Sequence, residues 1–336
     1  MDTGFGFTQL YSACRLTITH YYEPGDNTPP PCFGTGFIVD FPNNDNRMGL
    51  VTNRHLTDIP WHKPECEGTM IKSVKAEMWQ SKNLRIEIVI PEPRPLYHDD
   101  ETIDIAVIPF GPEIPPDALG TFYDKLENII PDPNTERLIF NHGLSWEYLQ
   151  RCEQLWPQLE PGEFVTFPGY PIWYDRLQTR PVLRSGVIAS DPQTSYRFRE
   201  GYPTRRDGNQ QILFDAFSTN GNSGSPVFVA QHGIAPVELK VQTSAKDPAP
   251  QAGKLEFSGY RPPFLIGINV GHFNDLDSDR LNDHAGLSRM HKLSAITEIL
   301  RANESEDHAS ERKISAVLST PETNDTAQAE QPCPDE

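Results

Sequence analysis

Residues 214–229 read FDAFSTNGNSGSPVFV, with Gly221-Asn222-Ser223-Gly224-Ser225-Pro226 at the centre and an apolar run directly after. Glycines on either side of Asn222-Ser223 let the backbone adopt conformations closed to other residues and approach a ligand closely. A serine on such a turn becomes a nucleophile when a base takes its proton, and the N–H groups of Gly221 and Ser223 could hold an oxyanion. The competing reading of the stretch is a polar hairpin turn. The base should be one of the chain's 10 histidines. His55 follows Val51-Thr52-Asn53-Arg54, just beyond an apolar strand where a rigid scaffold meets a loop, a place that often carries function; a surface histidine is the alternative. The acid should be buried. Asp104 lies between Ile103 and Ile105 and leads into Ala106-Val107-Ile108. A carboxylate in such a run is costly unless paired or hydrogen-bonded, although a strand-entry aspartate would read the same. Asp99, Asp100 and Glu101 form a solvated acidic patch and are weaker candidates.

Short strands must position these groups. TGFIVD (35–40) and GLVTN (49–53) flank a polar turn at 43–47, a hairpin pattern. LRIEIVI (84–90) alternates and predicts a half-buried strand, whereas IDIAVIPF (103–110) is almost continuously apolar and predicts a buried one. Residues 111–161 are proline-rich around two predicted helices, 117–130 and 145–156. Strands resume at 163–167, 182–190, 211–217, 226–230 and 264–270. Residues 231–263 read as a surface insertion, and 288–301 as an amphipathic closing helix carrying Met290, Leu293, Ile296, Ile299 and Leu300. Beyond Ala302 the composition cannot bury a core, which predicts disorder. The first 22 residues read as an early strand and not as a signal peptide.

The chain has 336 residues, enough for one large or two modest domains with a full core. A formal net charge of −18 argues against nucleic acid and anionic membranes as partners. No run of about 18 uncharged apolar residues predicts a membrane span. The cysteines Cys14, Cys32, Cys66, Cys152 and Cys333 are odd in number and lack CxxC spacing, so they read as free thiols of a cytoplasmic protein. Many short strands in two groups point to an all-β architecture of barrels or sandwiches.

The order His55, Asp104, Ser223 is that of the chymotrypsin arrangement, not of subtilisin or the α/β-hydrolases. The chain resembles chymotrypsin-fold (trypsin-like) serine endopeptidases of the bacterial kind, similar to Htr-type protease domains and glutamyl endopeptidases. The resemblance rests on GTGFIVD (34–40), LVTNRH (50–55), DIAVI (104–108), PGYP (168–171), RSGVIAS (184–190), STNGNSGSPVF (218–228) and IGINVGH (266–272), spread over roughly residues 30 to 290. It implies two antiparallel six-stranded β-barrels with the active site between them: an N-terminal barrel (1–115), a connection with helices (116–160), a C-terminal barrel with its closing helix (161–302) and an acidic disordered tail (303–336). It makes Ser223 the nucleophile, His55 the general base, Asp104 the orienting acid, and Gly221 and Ser223 the oxyanion donors. Ser218 would line the primary pocket, and the strand carrying Asn269, Val270, Gly271 and His272 would pair with a protein or peptide substrate. No cofactor and no metal are implied.

The departures are informative. Asn222 stands where animal trypsin-like enzymes carry an aspartate, and no Ile-Val-Gly-Gly start is present, so activation by a new N-terminus is not implied. Asn269 replaces the histidine of glutamyl-specific enzymes. Phe217 lies where basic-specific enzymes carry an aspartate, which leaves a small or apolar preferred side chain. No PDZ-like domain follows the barrel. His272, His284 and His291 match no compact ligand spacing and read as surface histidines; His20 and His62 fall in the first barrel without partners. Tyr21-Tyr22 and Trp173-Tyr174 read as packing or cleft rims. Two other functions stay open: a protease-fold binding module with a silent site, and an effector switched on by a regulatory protein partner.

Overall fold

The computed structural model describes residues 5–22, 29–42, 47–111, 140–197, 209–241, 251–255, 257–274, 284–304 and 315–319. Its N-terminal half is one antiparallel sheet of eight strands. They are β1 (Ala13–Tyr22), β2 (Cys32–Asp40), β3 (Met48–Thr52), β4 (Thr69–Ser81), β5 (Leu84–Pro91), β6 (Leu96–Tyr97), β7 (Ala106–Phe110) and, from far down the chain, β16 (Ser315–Ser319), in the order β16-β5-β4-β1-β2-β3-β7-β6. The C-terminal half is a closed six-stranded barrel, β10-β15-β14-β11-β8-β9, built from β8 (Phe164–Gly169), β9 (Val182–Ile188), β10 (Gln211–Asp215), β11 (Pro226–Val229), β14 (Phe264–Asn274) and β15 (His284–Lys292). One of the two expected six-stranded barrels is therefore present. In the other half, no pairing joins β6 to β16 among the described residues, and the sheet has eight strands.

The two halves share strands that are apolar on both faces. Successive strand residues point to opposite sides, so Ile38, Leu50 and Ile108 enter the core of the N-terminal sheet. Their neighbours Val39, Val51 and Val107 enter a second core with Val165, Phe167, Phe214, Phe228, Ile266 and Ile268 of the barrel. That double burial explains why IAVIPF is a continuous apolar run rather than an alternating one. Each of these side chains, fully withdrawn from water, contributes about 1.5–3 kcal/mol of transfer free energy.

Among the described residues, two helices lie against the barrel core and another precedes β1. The predicted helix at 145–156 is present as Trp146–Leu155, with Ser145 Oγ capping its first turn by accepting from the Tyr148 N–H at 3.2 Å. The second barrel helix, Leu293–Ala302, buries Leu293, Ile296, Ile299 and Leu300. It begins later than predicted. Residues 288–292 belong to β15, where Ser288 and Met290 alternate inward and the strand is bonded on both sides, to β10 and β14. Met290 fits a period of 2 as well as one of 3.6, and the ladder chose the former. Likewise Phe5–Ser12 is a helix, not the beginning of the first strand. Its Tyr11 is buried and accepts from Arg180 Nη1, which fastens this segment to the far half.

Three further differences concern strands. The charged segment Thr69–Ser81, not predicted, is the longest described strand: Lys75 and Glu77 alternate with the buried Val74, Ala76 and Met78, and Lys72 is an exposed charge on the apolar face. The insertion 231–263 carries a separate two-stranded sheet, β12 (Val237–Val241) with β13 (Gln251–Leu255). The tail was expected to lack structure, but Ser315–Ser319 pairs antiparallel with β5 because that edge offers unpaired backbone groups. The remainder of the tail beyond Glu304, and the helix predicted at 117–130, lie outside the described residues. Cys14, Cys32, Cys66 and Cys152 are free thiols, and no described helix is long and apolar enough to cross a membrane.

Candidate active site

His55 sits one residue beyond the point where β3 turns into a short helical segment, Arg54–Thr57, with Asn53 in extended conformation at its N-cap. Asp104 precedes β7. Its neighbours Ile103 and Ile105 are fully buried in the shared core, so the intervening side chain is turned the other way, toward His55. The carboxylate engages that histidine twice. His55 N–H donates to Oδ1 at 2.8 Å and His55 Nδ1 donates to Oδ2 at 2.6 Å. Asp104 is only 3% exposed. Burial pushes its pKa up, but the charge and the hydrogen bonds of His55 outweigh burial and hold it down, at about 2. The main chain is tied as well: Asn53 Nδ2 donates to Asp104 O at 2.8 Å, and Asp104 N–H donates to His291 Nε2 at 3.0 Å.

Ser223 lies on a tight turn leading into β11. Asn222 N–H donates to Thr219 O and Ser225 N–H to Asn222 O, and Gly221 and Gly224 have φ of +91° and +87°. At both, a Cβ would overlap backbone, Tyr170 O at Gly221 and Thr35 O at Gly224, so only glycine fits. The turn is held from two sides. From the N-terminal sheet, Thr35 N–H donates to Ser223 O at 2.8 Å. Thr35 Oγ1 donates to Gly221 O at 2.6 Å while accepting from Tyr170 N–H at 3.1 Å. From the barrel, Asn269 O accepts Gly224 N–H at 3.0 Å, and Asn269 Nδ2 donates to Asn222 O at 2.9 Å.

Gly34 marks where the two parts meet, flanked by Leu56, the residue after His55, and by Ser223 O. Ser223 Oγ makes no hydrogen bond among the described residues. The N–H groups of Gly221 and Ser223 likewise donate to no described residue.

Of the remaining predicted positions, Asn269 touches this turn. Ser218 is buried and its Oγ has no hydrogen-bond partner among the described residues. Asn269 and Val270 are buried, Gly271 has φ +142° and His272 is half-buried, all on β14. Phe217 is 58% exposed. The backbone and the amide of Asn269 both hold the Ser223 turn.

Thr35 and Asn53 carry no predicted role, although both lie inside segments on which the resemblance rests. His291 is predicted at the surface. His291 is 1% exposed and meets Asp104. Its strand had been read as helix, which hid the face it occupies. His62 was read as lacking a partner. Its ring stands edge-on to that of His55, with centroids 6.1 Å apart, and burial followed by the nearby His55 lowers its pKa. His20 is fully buried, and burial lowers its pKa to about 4. The side chain of His284 lies outside the described residues.

No protein-family model matches this chain, and no curated protein matches it. Among solved structures it is similar to a thermostable serine protease, AL20, from an extremophilic microorganism. The similarity covers 89% of this chain and 100% of that one at 10% sequence identity, with a TM-score of 0.40.

Proposed function

We propose that the chain is a serine endopeptidase of the chymotrypsin-like arrangement, cleaving peptide bonds through an acyl-enzyme. One observation carries the reading: a buried aspartate engages a single histidine through both carboxylate oxygens, and Nδ1 is one of the two donors. That bond puts the proton on Nδ1 and leaves Nε2 as the basic nitrogen. In the proposed reaction His55 Nε2 takes the Ser223 Oγ proton as Oγ attacks the substrate carbonyl carbon. The oxyanion is met by the Gly221 and Ser223 N–H groups, which donate to no described residue. Asp104 stabilises the imidazolium by its charge. His55 then protonates the leaving amine, and water, deprotonated by His55, releases the acid and restores Ser223. An extended peptide would add to β14 near Gly271–His272, with Ser218 in the wall of its primary pocket. The free thiols suit a reducing, cytoplasmic compartment.

A second reading is favoured by a separate observation. Ser223 Oγ makes no hydrogen bond among the described residues, and on this reading the nucleophile's link to its base is completed when a regulatory partner binds. Catalytic bonds are often completed only in the complex. Fluorophosphonate labelling of the purified chain separates the readings. Labelling mapped to Ser223 and abolished by His55→Ala supports the endopeptidase. A folded chain that labels only after a partner is added supports conditional activation, and one that never labels supports a silent binding module.

A further inference from the structure

Asp104 is anchored through all four of its polar groups. Its carboxylate oxygens go to His55, its carbonyl is held by Asn53 just past β3, and its N–H is held by His291 from β15 of the barrel. The last contact spans 187 residues of sequence. β15 is also the neighbour of β14, with His291 opposite Ile268 and Met290 opposite Asn269. Asn269 is the residue that holds the Ser223 turn from the barrel side. One two-stranded ladder therefore touches both the serine turn and the acid.

We infer that His291 is a positioning residue of the acid–base pair: the second barrel supplies it as an acceptor that sets the Asp104 main chain, so that both carboxylate oxygens meet His55. The inference rests on the reading of His55 as the general base. Nε2 accepts only if the ring is neutral with its proton on Nδ1, which makes no hydrogen bond of ordinary geometry among the described residues, although the backbone of Asn209 and Gln210 acts on the ring. The charged groups beside the ring are Asp104 and Arg289, which pull its titration in opposite directions. Burial is the largest influence and lowers the pKa to about 4, so the ring is neutral near pH 7. A ring protonated on both nitrogens would set one N–H against another.

The test compares His291→Leu, which removes the acceptor, with His291→Gln, whose Oε1 reaches about as far as Nε2. Both are made in the full chain. The readouts are the low-field proton resonance of His55 Nδ1–H, the pH profile of fluorophosphonate labelling at Ser223, and urea denaturation. In folded His291→Leu the labelling rate at pH 7 should fall about tenfold, the scale of one unsatisfied buried N–H. Its resonance should broaden or move upfield, and its labelling profile should shift in pH. His291→Gln should recover the resonance and come within about threefold of the unmodified rate. A purely structural histidine would lower the denaturation midpoint alone. If folded His291→Leu keeps the resonance, rate and profile, the inference is overturned. Should that variant not fold, His291→Gln decides: a folded protein without the resonance overturns the inference, and one that keeps it supports it. If the unmodified chain does not label Ser223, the endopeptidase reading fails while the resonance still reports on His291.

Discussion

Replacing Asp104 by Asn probes the proposed base through its protonation, at nearly unchanged volume. An asparagine amide turned toward His55 would donate to Nδ1 instead of accepting from it, moving the imidazole proton to Nε2, where it blocks proton uptake from Ser223. Losses on the order of 10^4-fold are known for this change in the serine protease template, and the fluorophosphonate labelling rate at Ser223 should fall by a similar factor. The structure also yields a stability signature. The Asp104 pKa lies at about 2 against an ordinary 3.8, and at roughly 1.4 kcal/mol per unit this is worth about 2 kcal/mol. A depressed carboxylate pKa means that the contribution is complete above the unfolded value. It is lost as the pH falls through the folded one, between about pH 4 and 2. Urea denaturation of both proteins across that window should show their stability difference shrinking by about 2 kcal/mol as the pH drops, because every other carboxylate cancels. A variant that labels within tenfold of the unmodified chain, or a difference independent of pH, would refute the reasoning.

Gly224→Ala should lower stability by more than about 2 kcal/mol and suppress labelling, since a Cβ there overlaps Thr35 O and φ is +87°; urea midpoints together with labelling measure both. Thr35→Val removes the hydroxyl that bridges Tyr170 N–H and Gly221 O. It should cost about 1–3 kcal/mol and slow labelling, and unchanged values in both assays would show that the bridge is idle. Ser145→Ala removes a helix cap remote from the serine turn and should cost about 1 kcal/mol with no change in labelling. Deleting residues 303–336 uncovers the β5 edge. It should promote self-association in sedimentation experiments while Ser223 labelling persists.

Much of the candidate site was legible because its parts are short and local. The Gly-Asn-Ser-Gly turn announces itself through backbone demands that two glycines alone can meet. Asp104 stood out as one carboxylate in an apolar run, and His55 by its place after a strand. The strands of the shared core were equally readable, since burial on both faces leaves a continuous apolar signature in residues 103–110. β4 escaped notice because Lys72 falls on the face of Val74, Ala76 and Met78, and Lys75 and Glu77 occupy the other, which leaves the segment charged overall. β15 was mistaken for helix because Ser288–Lys292 adjoins a true amphipathic helix and Met290 fits both periods.

The sequence alone determined which residue types could do chemistry and which local conformations they require, because dihedral preferences and periodicity act over a few neighbours. What those residues touch follows from how the chain packs. Packing brought Thr35 and Asn269 to the serine turn from opposite sides, placed Ser315–Ser319 on the edge of β5, and joined the Asp104 N–H to His291. Such partnerships depend on which surfaces pack together and on the need to satisfy every buried polar group. No window of sequence contains that information.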